Sequence, residues 1–454
     1  MDLILVNPGD NRDIPCEHLG LASLSAYIKY HGYSVDMLDM ALDNLDVPAG
    51  TKLLMAASAA VIGISMLDKT REKGLALIKQ LRSAGFHGTI VAGGYFPTFH
   101  ADELLLHCPG IDHIVRGEGE STLLELMDHL LDCKIKPLSS IEGISYRKNG
   151  TAVHNPARPL IRDLDSLPPP DRKYAQTVLK KTGHLRVNAS RGCWGNCSFC
   201  DINAFYTIGS GPKWRSHSIP VFVSELKRLR DKFNCSYFIL NDDNFMTRGI
   251  HNRKRAFALA EELKKNDLKI HFELMGRVDS MDRQVLQILK SAGLQRVFLG
   301  IESFDQAHLD RFNKGTTVLQ NMRAIILLKQ LQIDCIVSVI LADAHTRLRD
   351  LLVHFYTLFR IRRRYFNSSR SRISINEQLE IYRGSALYRQ YKQAGLLICD
   401  NWATGYRYQL KMMTALRLNL ARVEKFLWIK IKTGIERLSQ MIKPVRITDT
   451  MQEI

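Results

Sequence analysis

Short apolar runs alternate with amphipathic stretches over the first 135 residues. Leu3–Val6 reads as a strand and Leu19–His31 as a helix. Ser34–Leu38, Val61–Ser65, Thr89–Ala92 and His113–Arg116 read as four further strands. Helical spacing fills Lys69–Ala84, Ala101–His107 and Ser121–Leu131. Apolar strands alternating with helices predict an α/β domain with a doubly wound, Rossmann-like parallel sheet. Ligands of such sheets lie beyond the carboxyl ends of the strands. Asn7-Pro8-Gly9, Ser65-Met66, Gly93-Gly94 and Gly117-Glu118-Gly119-Glu120 fall there.

A connecting segment follows. Ile141–Tyr146 and Thr151–His154 flank the turn Asn149-Gly150 and predict a small hairpin. Leu167-Pro168-Pro169-Pro170 forbids a regular helix or a central strand, so a boundary falls there. From His184 the alternation restarts. Leu185–Asn188, Tyr237–Leu240, Ile270–Leu274, Arg296–Gly300, Cys335–Leu341 and Ile373–Leu379 are strand candidates, separated by helical patterns such as Val221–Phe233 and Met281–Ala292. Six βα units in a row predict a partial (β/α)6 or full barrel, whose active site lies at the carboxyl ends of the strands. Polar or special residues follow the strands in turn: Arg191–Cys200, Asn241–Asn244, Gly276–Asp279, Glu302-Ser303, Asp343–Thr346 and Glu380–Gly384. The expected division is a first domain at 1–140, a linker at 141–183, a barrel at 184–400 and a basic helical extension at 401–454.

With 454 residues the chain can bury large cores without disulfides. Hydrophobic residues at 45% and charged residues at 24% exclude wholesale disorder. A net charge of +17 points to an anionic partner: nucleic acid, a membrane surface or phosphorylated ligands. Arg360, Arg362, Arg363, Arg364, Arg370 and Arg372 crowd one segment. Lys411, Arg417, Arg422, Lys425, Lys430, Lys432, Arg437 and Lys443 stud the final helical stretch around Phe426-Leu427-Trp428-Ile429. That stretch reads either as an interfacial helix in peripheral contact with an anionic membrane or as a solvated face with an apolar stripe packed on the barrel. No nucleic-acid motif accompanies the charge, so no nucleic-acid partner is expected. Pro8 and Gly9 interrupt the first apolar run at once, unlike a signal peptide. The longest apolar stretch, Leu53–Leu67, falls short of the ~20 residues of a spanning helix. A cytoplasmic location with reduced thiols is expected.

Cys193, Cys197 and Cys200 form C-x3-C-x2-C in the loop after the first barrel strand. Three thiols so close read as metal ligands rather than disulfide partners. Zinc ordinarily takes a fourth Cys or His at short spacing, and His217, the nearest later candidate, stands outside any paired-ligand spacing. A [4Fe–4S] cluster on three thiolates keeps one iron open. Gly192 and Gly195 allow the backbone to wrap closely, and Arg191 is placed to favour thiolates.

This loop, with Phe199 before the last cysteine, resembles the signature of the radical S-adenosylmethionine (SAM) enzymes. The resemblance implies that the three cysteines hold a [4Fe–4S] cluster and that SAM chelates the open iron. One electron then cleaves SAM to a 5′-deoxyadenosyl radical. Gly300-Ile301-Glu302-Ser303 resembles the family's segment near the SAM amino group, which implies a Glu302–ammonium pair with Ser303 beside it. Arg277 is placed to bind the SAM carboxylate as a guanidinium fork. Asn241-Asp242-Asp243-Asn244-Phe245 resembles a segment common after the second strand, and reads equally as a solvated turn. Leu341-Ala342-Asp343-Ala344-His345-Thr346 departs from the Gly-Pro-rich turn of many relatives, and its lone His345 is more often uninvolved.

With this barrel behind it, Met1–Asp171 resembles the cobalamin-binding domain of cobalamin-dependent radical SAM enzymes, and Ile161–Arg172 their interdomain linker. Ser65, Gly93, Gly94, Gly117 and Glu118 are then expected to face cobalamin. The Asp-x-His-x-x-Gly motif is absent: Asp13 and His18 are five apart. The implied binding mode is base-off, without a histidine ligand. The implied activity is methyl transfer to an unactivated carbon or phosphorus centre by way of methylcobalamin, in the biosynthesis of a specialised metabolite or cofactor. Cyclisation or rearrangement without net methyl transfer is the alternative, and a non-enzymatic cobalamin or iron–sulfur sensor a weaker one. The substrate is a small molecule or is carried on a peptide or carrier. A flavodoxin- or ferredoxin-type donor supplies the electron.

Overall fold

The computed structural model describes residues 1–9, 15–131, 136–366, 370–376, 379–400 and 403–406. Asp13, Cys133 and the basic segment expected to be helical from Lys411 onward lie outside these residues, as does the side chain of Cys399.

Five parallel strands open the first sheet: β1 (Leu3–Asn7), β2 (Val35–Asp39), β3 (Val61–Ser65), β4 (Thr89–Gly93) and β5 (His113–Val115), in the order β2-β1-β3-β4-β5. Every residue of β3 and four of five in β1 are buried, as expected for strands covered on both faces. The expected hairpin forms as β6 (Ile144–Lys148) and β7 (Thr151–His154), but it extends this sheet antiparallel beyond β5. The first sheet is therefore mixed rather than wholly parallel.

The apolar stretch Leu53–Leu67 is split in the fold. A helix at Val47–Ala57, capped by the Asp46 carboxylate on the Ala49 amide, ends at Ser58 in the left-handed region (φ +48°), and β3 begins three residues later. Helix and strand abut so closely that their apolar positions merge into one run, which hides the helix from periodicity.

The second sheet holds six parallel strands: β8 (Leu185–Val187), β11 (Tyr237–Leu240), β12 (His271–Arg277), β13 (Leu294–Glu302), β14 (Asp334–Ile340) and β15 (Arg372–Asn376). Their order is sequential, with β8 and β15 at the two edges, so this is a partial barrel. A two-residue antiparallel pair, β9 (Ser190–Arg191) with β10 (Arg215–Ser216), brackets the cysteine loop. A last hairpin, β16 (Leu397–Asp400) with β17 (Ala403–Tyr406), follows the barrel.

One apolar core runs from Leu3 and Leu5 of the first sheet, through Tyr174, Ala175 and Val178, to Leu185 and Val187 of the second. Charged contacts reinforce this join. Arg172, buried, pairs with Glu17 at 3.0 Å and Glu225 at 3.1 Å, joining the helix-leading loop of the first unit to a helix of the second. No helix among the described residues is long and apolar enough to cross a membrane.

Candidate functional site

The strand ends of the two sheets line a common cavity of about 620 Å3. Gly93, Gly94 and Gly117 border it from the first sheet, and Asn188, Ser190 and Asp243 from the second. Gly94 turns at φ +95°, and a Cβ there would lie 2.7 Å from the Met66 carbonyl oxygen and 3.1 Å from Ser65 Oγ. No side chain fits, so bare backbone faces the cavity. His18 stands beside Ser65. The Leu21 amide donates to His18 Nδ1 at 3.1 Å, so Nε2 carries the proton and donates to Ser65 Oγ at 3.1 Å. Both ring nitrogens are thereby engaged. His217 also borders the cavity and holds Asp165 at 3.0 Å, which makes it a joint between linker and barrel rather than a metal ligand.

Asp242 and Asp243, read from sequence as a segment of open meaning, are deeply placed. Asp242 accepts from Ser190 Oγ and, at 3.3 Å, from the Ala189 amide. Asp243 borders the cavity and accepts from the Gly192 amide at 2.9 Å. Burial, together with the negative charges of Asp242 and Asp201, pushes its pKa up to about 7 against the pull of that amide.

The cysteine loop is shaped by two glycines. Gly192 sits at φ +81°, and a Cβ there would lie 1.8 Å from the Lys213 carbonyl oxygen. At Gly195 a Cβ would lie 2.7 Å from Arg277 Nη1. That arginine is the cation of the loop. Its Nη1 donates to Cys197 Sγ at 3.2 Å, its Nε and Nη2 to the Asp279 carboxylate at 3.1 and 3.3 Å, and Nη2 also to the Lys314 carbonyl. Trp194 lies under it, 4.7 Å from guanidinium to ring centre, with Arg248 also 3.8 Å from that ring centre. Sequence assigned the role of favouring the thiolates to Arg191; the structure gives it to Arg277. Arg277, expected from the sequence to fork onto a ligand carboxylate, donates from all three of its nitrogens to groups of the protein.

Cys193, Cys197 and Cys200 are all free thiols. Burial pushes the Cys193 thiol up against the pull of Arg277, and burial with the Asp201 charge pushes the Cys200 thiol up, so both are protonated at neutral pH. Such buried thiols suit a metal, whose charge offsets that cost. Among the described residues no three His, Cys, Asp or Glu side chains converge as one ion would need. A [4Fe–4S] cluster binds each thiolate at a different iron, and three free thiols on one glycine-shaped loop are a donor set it can take.

Glu302 closes β13 just past a register shift against β14, in the left-handed region at φ +63°. For a residue with a Cβ this conformation costs on the order of 1 kcal/mol. Lys314 Nζ donates to Glu302 Oε1 at 2.8 Å in a buried pair. Burial works against the Lys314 charge, but Glu302 and Cys197 more than offset it and raise the pKa. Lys314 is thus a neighbour of both Glu302 and the cysteine loop that carries no sequence signal of its own. Ser303 is absent from the wall of the common cavity. Its hydroxyl lies fully buried, 2.6 Å from His354 Nε2 and 3.3 Å from His308 Nδ1, and accepts from the Asp305 amide at 3.0 Å. The His345 ring stands edge-on to Tyr391, and its amide donates to Asp343 Oδ1 at 3.0 Å, a carboxylate held by Arg311.

Glu118 and Glu120 extend the Gly117 loop into the second unit. Arg191 Nη1 donates to Glu118 at 3.0 Å and Nη2 to Glu120 at 2.7 Å. Arg215 Nη1 and the Ile161 amide donate to the other Glu118 oxygen at 2.8 and 2.9 Å. Both oxygens of Glu118 are therefore used by the protein, and it joins the cavity-facing loop to the β9–β10 pair rather than presenting a free carboxylate. Arg191 precedes the cysteine loop by one residue, so the clamp ties the two strand-end loops together. Only two glutamates spaced by one glycine hinted at it in the sequence.

A B12-binding domain model matches residues 10–127, and a radical SAM superfamily model residues 187–345. The chain belongs to the cobalamin-dependent radical SAM enzymes, in which a cobalamin-binding domain precedes the radical SAM domain. An uncharacterized methyltransferase of Pyrococcus horikoshii, PH0819, is 29% identical over 326 residues, 71% of this chain and 69% of that protein. The anaerobic magnesium-protoporphyrin IX monomethyl ester cyclase of Rubrivivax gelatinosus is 31% identical over 322 residues, 68% of this chain and 56% of that protein. The solved structure of the cobalamin-dependent SAM radical enzyme OxsB, with aqua-cobalamin and SAM bound, aligns over 100% of this chain and 70% of its own with a TM-score of 0.75 at 22% identity. Cobalamin, SAM and a [4Fe–4S] cluster are the cofactors of this class.

Proposed function

We propose that this enzyme transfers a methyl group from SAM to an unactivated carbon or phosphorus centre of a small or carrier-bound molecule. The observation that carries the reading is the single cavity that both sets of strand ends line. Cys193, Cys197 and Cys200 would hold the cluster, and Ser65, Gly93, Gly94 and Gly117 would face the corrin. When bound, the cluster with SAM supplies one-electron cleavage and cobalamin supplies methyl carriage. The chain's own residues do the rest. Arg277 screens the charge gathered at Cys197, and Lys314 holds Glu302 at the end of β13. Asp243, with its raised pKa, can hold a proton at the cavity wall. The Glu118–Arg191 clamp fixes the distance between the two loops. An acidic one-electron carrier of the flavodoxin or ferredoxin type would reduce the enzyme in the cytoplasm.

The name of the Rubrivivax relative favours a second reading, cyclisation without net methyl transfer. Turnover with SAM and a reductant separates the two. Methyl transfer yields S-adenosylhomocysteine and 5′-deoxyadenosine in near-equal amounts per product, and Glu302→Ala depresses both. 5′-Deoxyadenosine with a product of unchanged carbon count overturns the methyltransferase reading.

A further inference from the structure

A second cavity of about 720 Å3 adjoins the first and shares His18, Gly20, Leu67, Asn188 and Asn241 with its wall. Its carboxylates are already engaged. Glu17 pairs with Arg172. Asp39 accepts from the Ala41 and Leu42 amides at 3.1 and 3.0 Å and from Asn7 Nδ2 at 2.8 Å. Asp46 caps its helix.

Its cations are not. Lys73, from the helix Arg71–Ser83, donates only to the Leu45 carbonyl at 3.0 Å. Lys181, from the helix Ala175–Thr182, donates only to the Leu42 carbonyl at 3.2 Å. Arg186, on β8, donates from Nη1 to Asn241 Oδ1 at 3.1 Å, and its Nε is buried without a partner. Among the described residues none of the three forms an ion pair with a carboxylate. Neutral oxygens satisfy a donor without cancelling charge, and each ammonium keeps donors to spare. Three like charges from three elements around one concave wall focus a positive potential on it. A guanidinium with open donors also matches the oxygen geometry of phosphate.

We propose that this second cavity is a binding site for a phosphate-class anion held by Lys73, Lys181 and Arg186. Resting on the reading of the first cavity as the cobalamin site, the anion has two sources. It is the phosphodiester of the cobalamin nucleotide or the phosphate of a phosphorylated substrate.

The full chain, free of cofactors, is titrated calorimetrically with inorganic pyrophosphate at low ionic strength. Saturable binding is expected, weakened about tenfold or more in Lys181→Glu and in Arg186→Glu, the loss of one charge-assisted contact. Lys181 is exposed, so its reversal leaves the core intact even if Arg186→Glu does not fold. Lys269→Glu, whose side chain is 92% exposed elsewhere, controls for net charge and is expected to bind as wild type. No saturable binding, or equal weakening by Lys269→Glu, overturns the site.

Aquacobalamin and cobinamide, which lacks the nucleotide phosphate, then distinguish the sources by absorbance titration. If the phosphate is cobalamin's, pyrophosphate competes with cobalamin but not with cobinamide, and Lys181→Glu weakens cobalamin alone. If it is a substrate's, cobalamin-loaded protein binds pyrophosphate as unloaded protein does. Either pattern upholds the site. Failure of both corrinoids to bind overturns the proposed function and leaves the pyrophosphate result standing, because that titration uses unloaded protein.

Discussion

Replacing Glu118 by Gln removes one charge and almost no volume. The side chain is 7% exposed, and three donors converge on its two oxygens: Arg191 at 3.0 Å, Arg215 at 2.8 Å and the Ile161 amide at 2.9 Å. An amide keeps one oxygen and turns an NH2 toward a guanidinium or the Ile161 amide. Arg215, 2% exposed, then has no carboxylate partner, while Arg191 keeps Glu120 at 2.7 Å. Breaking a buried pair by removing one partner costs about 3–5 kcal/mol. Retention of Glu120 and of one accepting oxygen places the expected loss at the lower end, about 3 kcal/mol. Denaturant unfolding of the cofactor-free protein measures it, in a double-mutant cycle with Arg191→Met. The cycle matters because both units contribute to the transition, and a coupling energy cancels what the single changes share. Coupling above about 1 kcal/mol is expected for a desolvated pair. A loss below about 1 kcal/mol with additive single changes is the behaviour of an exposed ion pair and would refute the clamp.

Gly192→Ala places a Cβ 1.8 Å from a backbone oxygen at φ +81°, so it should lower stability by more than about 2 kcal/mol and reduce iron retained after anaerobic reconstitution. Asp243 carries a folded pKa of about 7 against an ordinary 3.8, so its ionisation erodes stability as pH rises from about 4 to 7. Unfolding of Asp243→Asn should therefore gain on wild type across that window by at least about 1 kcal/mol, and a pH-independent difference would contradict the burial argument. His18→Ala should leave the electron paramagnetic resonance of bound cob(II)alamin free of nitrogen splitting, as in wild type, because both His18 nitrogens are engaged by Leu21 and Ser65. Cys197→Ala should lose the iron–sulfur absorbance, whereas Cys335→Ala, whose buried thiol sits in β14 away from the loop, should keep it.

Most of the fold was legible from pattern alone. Parallel strands buried on both faces write continuous apolar runs, so β1, β3 and β4 appear in the sequence within a residue of their bounds. The cysteine loop was equally plain, since its three cysteines lie within eight residues and need no long-range contact to be recognised. The helix at Val47–Ala57 escaped because its apolar face runs straight into β3. The hairpin was visible, but its attachment to the first sheet was not, because pairing of β6 with β5 depends on a partner 30 residues away. The same physics governs the site. Residue type identified Glu118, Arg191, Arg277 and Ser303 as special. Only the packed molecule assigned their partners. Glu118 and Arg191 meet across 73 residues, Arg277 and Cys197 across 80, and Ser303 and His354 across 51. Local sequence determines backbone conformation and burial pattern through steric and hydrophobic preferences that act within a few residues. Which charge neutralises which is decided by distances that exist only after both sheets have closed on one another.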